Sequence, residues 1–430
     1  MVSLLLVAGA AGCELVSGIA GLGVGGGQGP VDAAIDSSRP ADATVDAGKD
    51  PARDGGSVEA PSDAGAPDAA DAPACVTACD GGCVDVTSDP VNCGACGHDC
   101  MGAGCANAIC QPTLLATVNL GAGTVGMAGA IAVDAVNVYF LAGTASGATP
   151  YVCPKSGCGA PAPVVNATLW PYAIAADGTF VYVVDSVQQR VLACTAGGCA
   201  TLGVGKSIDS LAVDDGGVYW ADFAYGEVEA GLVGSFRGDA GSALATGQTA
   251  PLQVTASGGV VSWVDSVPRC SGSSPQLPSS VVTFCLGCSA GPSVLATDPA
   301  TFFGSVMTGC AASGPFVFWA ESSCPIPSPT VTIKGCPYSG CDSLQADIVS
   351  IDAGYVAGMV ADDAGLYFST GDRIFAVPLQ NGAPGDAGAN VLVSGRQMNF
   401  IARDDSSIYW DDCGDAGCGS GQVYVWRVAK

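Results

Sequence analysis

Carboxylates recur at matched places along this chain. They close the phrases Tyr219-Trp-Ala-Asp222 and Tyr409-Trp-Asp-Asp412. Looser copies are Tyr182-Val-Val-Asp185, Ser262-Trp-Val-Asp265 and Phe318-Trp-Ala-Glu321. Gathered at one rim, Asp185, Asp222, Asp265 and Glu321 would offer hard oxygen ligands to a cation such as Ca²⁺. Two of them in different environments, about 5–10 Å apart, would suit acid–base cleavage of a glycosidic bond. Spread around a ring, the same acids would tie structure together instead. No D-x-D-x-D-G calcium loop is present.

Other chemistry is excluded by inventory. The single histidine, His98, lies in a cysteine-rich stretch, so Ser-His-Asp and Cys-His sites are ruled out for the rest of the chain. No G-x-x-x-x-G-K-S/T phosphate loop occurs. A formal net charge of −26 repels phosphate backbones and anionic lipid headgroups, which excludes nucleic-acid binding.

The 22 cysteines point to an oxidising compartment and to disulfides. Eight of them crowd into residues 75–110, a stretch too short to bury a core and in need of covalent staples. Eight cysteines allow 105 pairings, and spacing does not choose among them. Further along, Cys153/Cys158, Cys194/Cys199, Cys336/Cys341 and Cys413/Cys418 are each separated by four residues that include Gly. That spacing fits a disulfide across a tight hairpin. Cys285 and Cys288 look like a contracted copy. Cys270 and Cys324 could pair across neighbouring repeats, and Cys310 is placed as a buried thiol in an inner strand.

The elements that must position these groups are legible as a repeat. Ile131-Ala-Val-Asp134 is followed by Val138-Tyr139-Phe140. The pattern returns as Ile174-Ala-Ala-Asp177 with Val181-Tyr182-Val183, and as Leu211-Ala-Val-Asp214 with Val218-Tyr219-Trp220. Weaker copies end in Val261-Ser262-Trp263, Val317-Phe318-Trp319, Leu366-Tyr367-Phe368 and Ile408-Tyr409-Trp410. A spacing of roughly 40 residues is the mark of a radial all-β repeat, a seven-bladed β-propeller over 112–430. Each copy reads as two strands joined by an Asp/Gly-rich turn, then a third and a fourth strand. The sequence reaches Lys430 right after a third strand. Thr113-Leu-Leu-Ala-Thr117 has fourth-strand character and no repeat of its own. It is expected to complete the last blade and close the ring.

Residues 30–74, almost wholly Asp, Ala, Pro, Gly and Ser, cannot bury enough apolar surface to fold, so 13–74 is expected to be a disordered tether. Residues 2–12 are apolar but too short to span a bilayer.

Three resemblances add to this reading. Ala10-Ala11-Gly12-Cys13 resembles the lipobox of bacterial lipoprotein signal peptides, which implies a signal over 1–12 and a lipid on Cys13. The stretch Asp89–Cys100 is similar to small Cys-rich modules of predicted myxobacterial lipoproteins. The Tyr-Trp-x-Asp phrases resemble the YWTD repeats of extracellular propellers, which implies that the acids tie neighbouring blades. The first and sixth copies depart from that pattern, with Ala142 and Thr370 in place of the acid. Together these readings describe a monomeric cell-envelope lipoprotein, outer-membrane-anchored or extracellular, needing no cofactor. Its propeller would bind a protein or glycan partner without catalysis and touch the membrane only through its lipid. The alternative is a Ca²⁺-dependent propeller hydrolase or lyase using rim carboxylates. The longer segments 266–283 and 320–332 are where a specific binding surface is expected.

Overall fold

The computed structural model describes residues 77–430 apart from 80–81, 122–125, 145, 166–168, 170, 216, 224–230, 237–240, 266–278, 286–290, 299–304, 324–329, 342–345, 354, 381–382, 386–387, 399 and 415–417. The expected signal, Cys13 and the tether lie outside the described residues, as do Cys270, Cys288 and Cys324.

Among the described residues, seven sheets of four or five strands follow one another along the chain. The first begins Gly126–Val133, Asn137–Thr144, Gly147–Pro154; the sixth begins Gly358–Ala361, Gly365–Ser369, Gly371–Gln380. Strands within each of the first five sheets are antiparallel neighbours in sequence, so local hairpins build them. The first strand of every sheet lies beside the first strand of the next, and that of the seventh lies beside that of the first. The sheets therefore form a closed ring with first strands innermost.

The seventh sheet is made from both ends of this unit. Its own strands are Ile401–Arg403, Ser407–Asp412 and Gln422–Ala429, and its fourth is Thr113–Asn119. The closing strand pairs antiparallel with the third, from Gln422↔Asn119 to Arg427↔Thr113. It buries Leu115, Ala116 and Val118. Without it the third strand would present a bare row of N–H and C=O groups.

Second strands carry the core. Asn137–Thr144, Val181–Asp185, Gly365–Ser369 and Ser407–Asp412 are buried along almost their whole length. A strand covered on both faces reads as a continuous apolar run, which is why the Val-Tyr-Trp phrase does not alternate. Its two adjacent aromatics point to opposite faces. Tyr409 packs with Phe140 and Ile131 of the first sheet, while Trp410 packs with Ile374 and Met398 of the sixth.

The cysteine-rich module belongs to the same compact unit, Val76–Lys430. Disulfides join Cys79 to Cys96, Cys93 to Cys105, and Cys100 to Cys110. Cys93, Cys100 and Cys110 are buried in the cluster that holds Trp410, Val393 and Val428. The Arg427 guanidinium donates to the carbonyls of Met101 in the module and Lys155 in the first sheet.

Deleting residues 112–118 is expected to lower the unfolding midpoint by many degrees in calorimetry. Leu115→Ala should cost about 2–4 kcal/mol in denaturant titration. An unchanged midpoint in either variant would show that the ring does not depend on this strand.

Candidate functional site

The repeat places carboxylates at two sites, one at each end of the second strand, each site filled in some copies and not in others, and the two do different work. At the hairpin end, Asp134 accepts the amides of Val136 and Asn137 through Oδ1 at 2.7 and 2.6 Å. Its Oδ2 accepts the Tyr139 hydroxyl at 2.7 Å. Asp177 does the same with the amides of Thr179 and Phe180 and the hydroxyl of Tyr182. Asp404 repeats it with Ser406, Ser407 and Tyr409. Asp214 accepts from Tyr219 at 3.2 Å. Asp134, Asp177 and Asp404 thus each close their own turn, and all four anchor a phenol five residues on. The signal was present in the sequence and not read there. In copies four and five, Ser257 and Ser313 replace the Asp, and Ser262 and Phe318 replace the Tyr. Acid and phenol are present together or absent together.

The electrostatics follow from these bonds. Burial would raise the Asp134 carboxyl, but the Tyr139 hydroxyl and the Asn137 and Val136 amides outweigh it and hold it below the usual range. Asp177 is lowered in the same way, and Asp404, again against burial, is lowered chiefly by the hydrogen bond from Lys155, then by those from Tyr409 and the Ser406 amide. Burial, then the hydrogen bond to Asp134, pushes the Tyr139 phenol up to about 12.

The far-end acids are the ones singled out from the sequence. Asp222 accepts the amides of Lys206 and Ser207, at 2.9 and 2.6 Å. Asp265 accepts those of Thr249 and Ala250, at 3.0 and 2.5 Å. Both amide pairs lie in the connection by which the chain leaves one sheet and enters the next. Asp185 turns to its own sheet, accepting Arg190 Nε at 3.1 Å. Glu321 lies 2.5 Å from Lys334 Nζ. The structure does not bring the four together. Among the described residues, the one group of three potential metal ligands is Cys93, Cys100 and Cys110. Their sulfurs are already in disulfides, so they offer no thiolate to a metal. His98 Nδ1 lies 2.5 Å from the Cys93 carbonyl.

The four repeated cysteine pairs are all joined: Cys153–Cys158, Cys194–Cys199, Cys336–Cys341 and Cys413–Cys418. The first three span the turn after a third strand, and the last spans the connection after the seventh sheet's second strand. The one free cysteine among the described residues is Cys310, on the inner strand of the fifth sheet, where burial pushes the thiol up to about 12.

No protein-family model matches this chain, and no curated protein matches it. Solved structures do. A streptogramin B lyase superposes with a TM-score of 0.51 at 9% identity, over 74% of this chain and 97% of that one. A chain of a mitotic checkpoint complex gives 0.50 at 10%, over 74% and 95%. The β-propeller domain of the Trilobed protease from Pyrococcus furiosus gives 0.46 at 12%, over 67% and 91%. At such identities the likeness bears on fold alone: this chain is a disulfide-rich β-propeller.

Removing one phenol tests the Asp–Tyr bonds. Tyr182→Phe is expected to cost about 1–2 kcal/mol, because Asp177 loses one donor and keeps its two amides. The pH profile should fall at both ends. A lowered Asp contributes stability present above its unfolded value, about 3.9, and lost as pH falls through its folded value. A raised Tyr contributes stability present below about 10 and lost as pH rises from there. Thermal melts from pH 2 to 12 check both limbs, and Tyr139→Phe should blunt the alkaline one.

Proposed function

We propose that this protein is a cell-envelope lipoprotein, anchored through Cys13, whose propeller holds a protein or glycan partner and does no chemistry on it. The observation that carries the non-catalytic half is the use made of the far-end acids. Asp222 and Asp265 each accept two backbone amides, and Asp185 and Glu321 each face a base. A general acid or base must be free to exchange a proton with its substrate. A Ca²⁺-dependent hydrolase or lyase would need these carboxylates to converge on the ion. The envelope half rests on the lipobox-like Ala10-Ala11-Gly12-Cys13 and on disulfides of a kind that persist in oxidising compartments. The connections between sheets, carried on the ring, are where such a partner would make contact.

Two measurements test the proposal. Cys13→Ala should move the protein from the membrane fraction to the soluble one, and continued membrane retention would sink the anchor. Addition of Ca²⁺ to chelator-treated protein should leave the melting temperature unchanged. A chelator-reversible rise of several degrees, lost in Asp222→Asn, would favour the hydrolase or lyase reading.

A further inference from the structure

One carboxyl has no place in the pattern above. Asp411 follows Trp410 on the second strand of the seventh sheet and is fully buried. The corresponding residues of the other sheets, first to sixth, are Leu141, Val184, Ala221, Val264, Ala320 and Ser369, all buried and none ionisable. Asp411 lies on the Tyr409 side of the strand, the side that packs on the first sheet. Its Oδ2 accepts the Gly129 amide at 3.0 Å. Its Oδ1 has no partner among the described residues. Gly129 sits where the first sheet's inner strand slips register between Ala128 and Ile131, which turns its amide away from the regular ladder. A Cβ there would lie 2.9 Å from Leu141 Cβ, so nothing larger than Gly fits.

This contact spans the seam between the seventh and first sheets. Opening the ring there would part these two faces and the pairing of 113–119 with 422–429. A half-satisfied carboxylate sealed at that seam is costly when charged. We propose that Asp411 makes the seam a pH-sensitive latch, closed while the carboxyl keeps its proton and loosened when it ionises.

Among the described residues, the surroundings give no cation to hold the charge. Of the elements packed on this strand, the inner strand of the first sheet carries no titratable side chain. Arg403, on Ile401–Arg403, lies 3.6 Å from Asp362. On Gln422–Ala429, Arg427 serves two carbonyls and Tyr424 donates to Gln422. The strand Asn390–Met398 belongs to the sixth sheet, which packs on the Trp410 side. The neighbouring charged group is another acid, Asp412. Burial raises the Asp411 carboxyl well above its ordinary value, the Gly129 amide offsets part of this, and Asp412 adds to it. For a raised acid, stability is fully present below the unfolded value, about 3.9, and is lost as pH rises through the folded one. This is opposite in direction to Asp134, Asp177 and Asp404, which weaken the protein only as pH falls.

The test compares full-length protein with Asp411→Asn, and with Asp411→Leu, the residue found at 141, in case the amide impairs folding. Melting temperatures are taken from pH 4 to 9, with hydrogen exchange in 113–119 and 126–133. The variant and the parent are expected to melt alike near pH 4. The parent should then fall several degrees below as pH rises. Its seam segments should gain exchange, corrected for chemical rate, by up to about tenfold per pH unit over the titration. A parent-to-variant difference that is constant with pH in both variants would overturn the latch. So would a pH-dependent loss of protection spread evenly over all sheets.

Discussion

Everything in this protein depends on closing the ring. Each sheet has two apolar faces, and an isolated sheet cannot bury both. Stacked in a row, the sheets would still leave two faces and one bare edge at the ends. The ladder between Thr113–Asn119 and Gln422–Ala429 removes that edge and brings the first and seventh sheets face to face. The buried second strands, with Tyr409 on one side and Trp410 on the other, make sense only once both neighbours are in place.

The seventh sheet is clamped on both sides. Lys155 of the first sheet reaches Asp404 at 2.6 Å and lies over the Tyr409 ring. Lys430, at the end of the seventh, pairs with Asp362 of the sixth and lies over Tyr367. The two lysines occupy matching places after a third strand. Each extends an Asp–Tyr unit into the neighbouring sheet, on the two interfaces that flank the closing sheet. Both pairs are largely shielded from water, with side-chain exposures of 16% and 21% for Lys155–Asp404, and so count for more than surface pairs. The cysteine-rich module joins the same sheet from outside through the cluster around Trp410.

The allocation of polar groups bears on function. Aspartates close hairpins, seat phenols and cap connections between sheets; cysteines pin turns. Such groups are fixed by bonds to their own backbone and are poor candidates for moving protons to a ligand. The binding role proposed above would then fall to the connections between sheets, which the ring holds in place. Asp411 is the exception, an acid at a seam where every other copy has an apolar or hydroxyl side chain.

Much of this was legible in the chain itself. The repeat phrase, the four-stranded unit, the borrowed closing strand and the C-x4-C disulfides are local patterns, set by period-two packing, turn chemistry and short loops. The Asp–Tyr unit is equally local, five residues apart, and needed only the copies to be compared. The rest was beyond sequence because it joins positions far apart. Nothing in the spacing pairs Cys79 with Cys96 rather than another of the eight. Nothing sets Lys155 on Asp404, Arg427 on Met101, or Asp411 on Gly129. Those contacts arise only when the ring curves round to bring its seventh sheet against its first, and it is that closure which seals the Asp411 carboxyl between them.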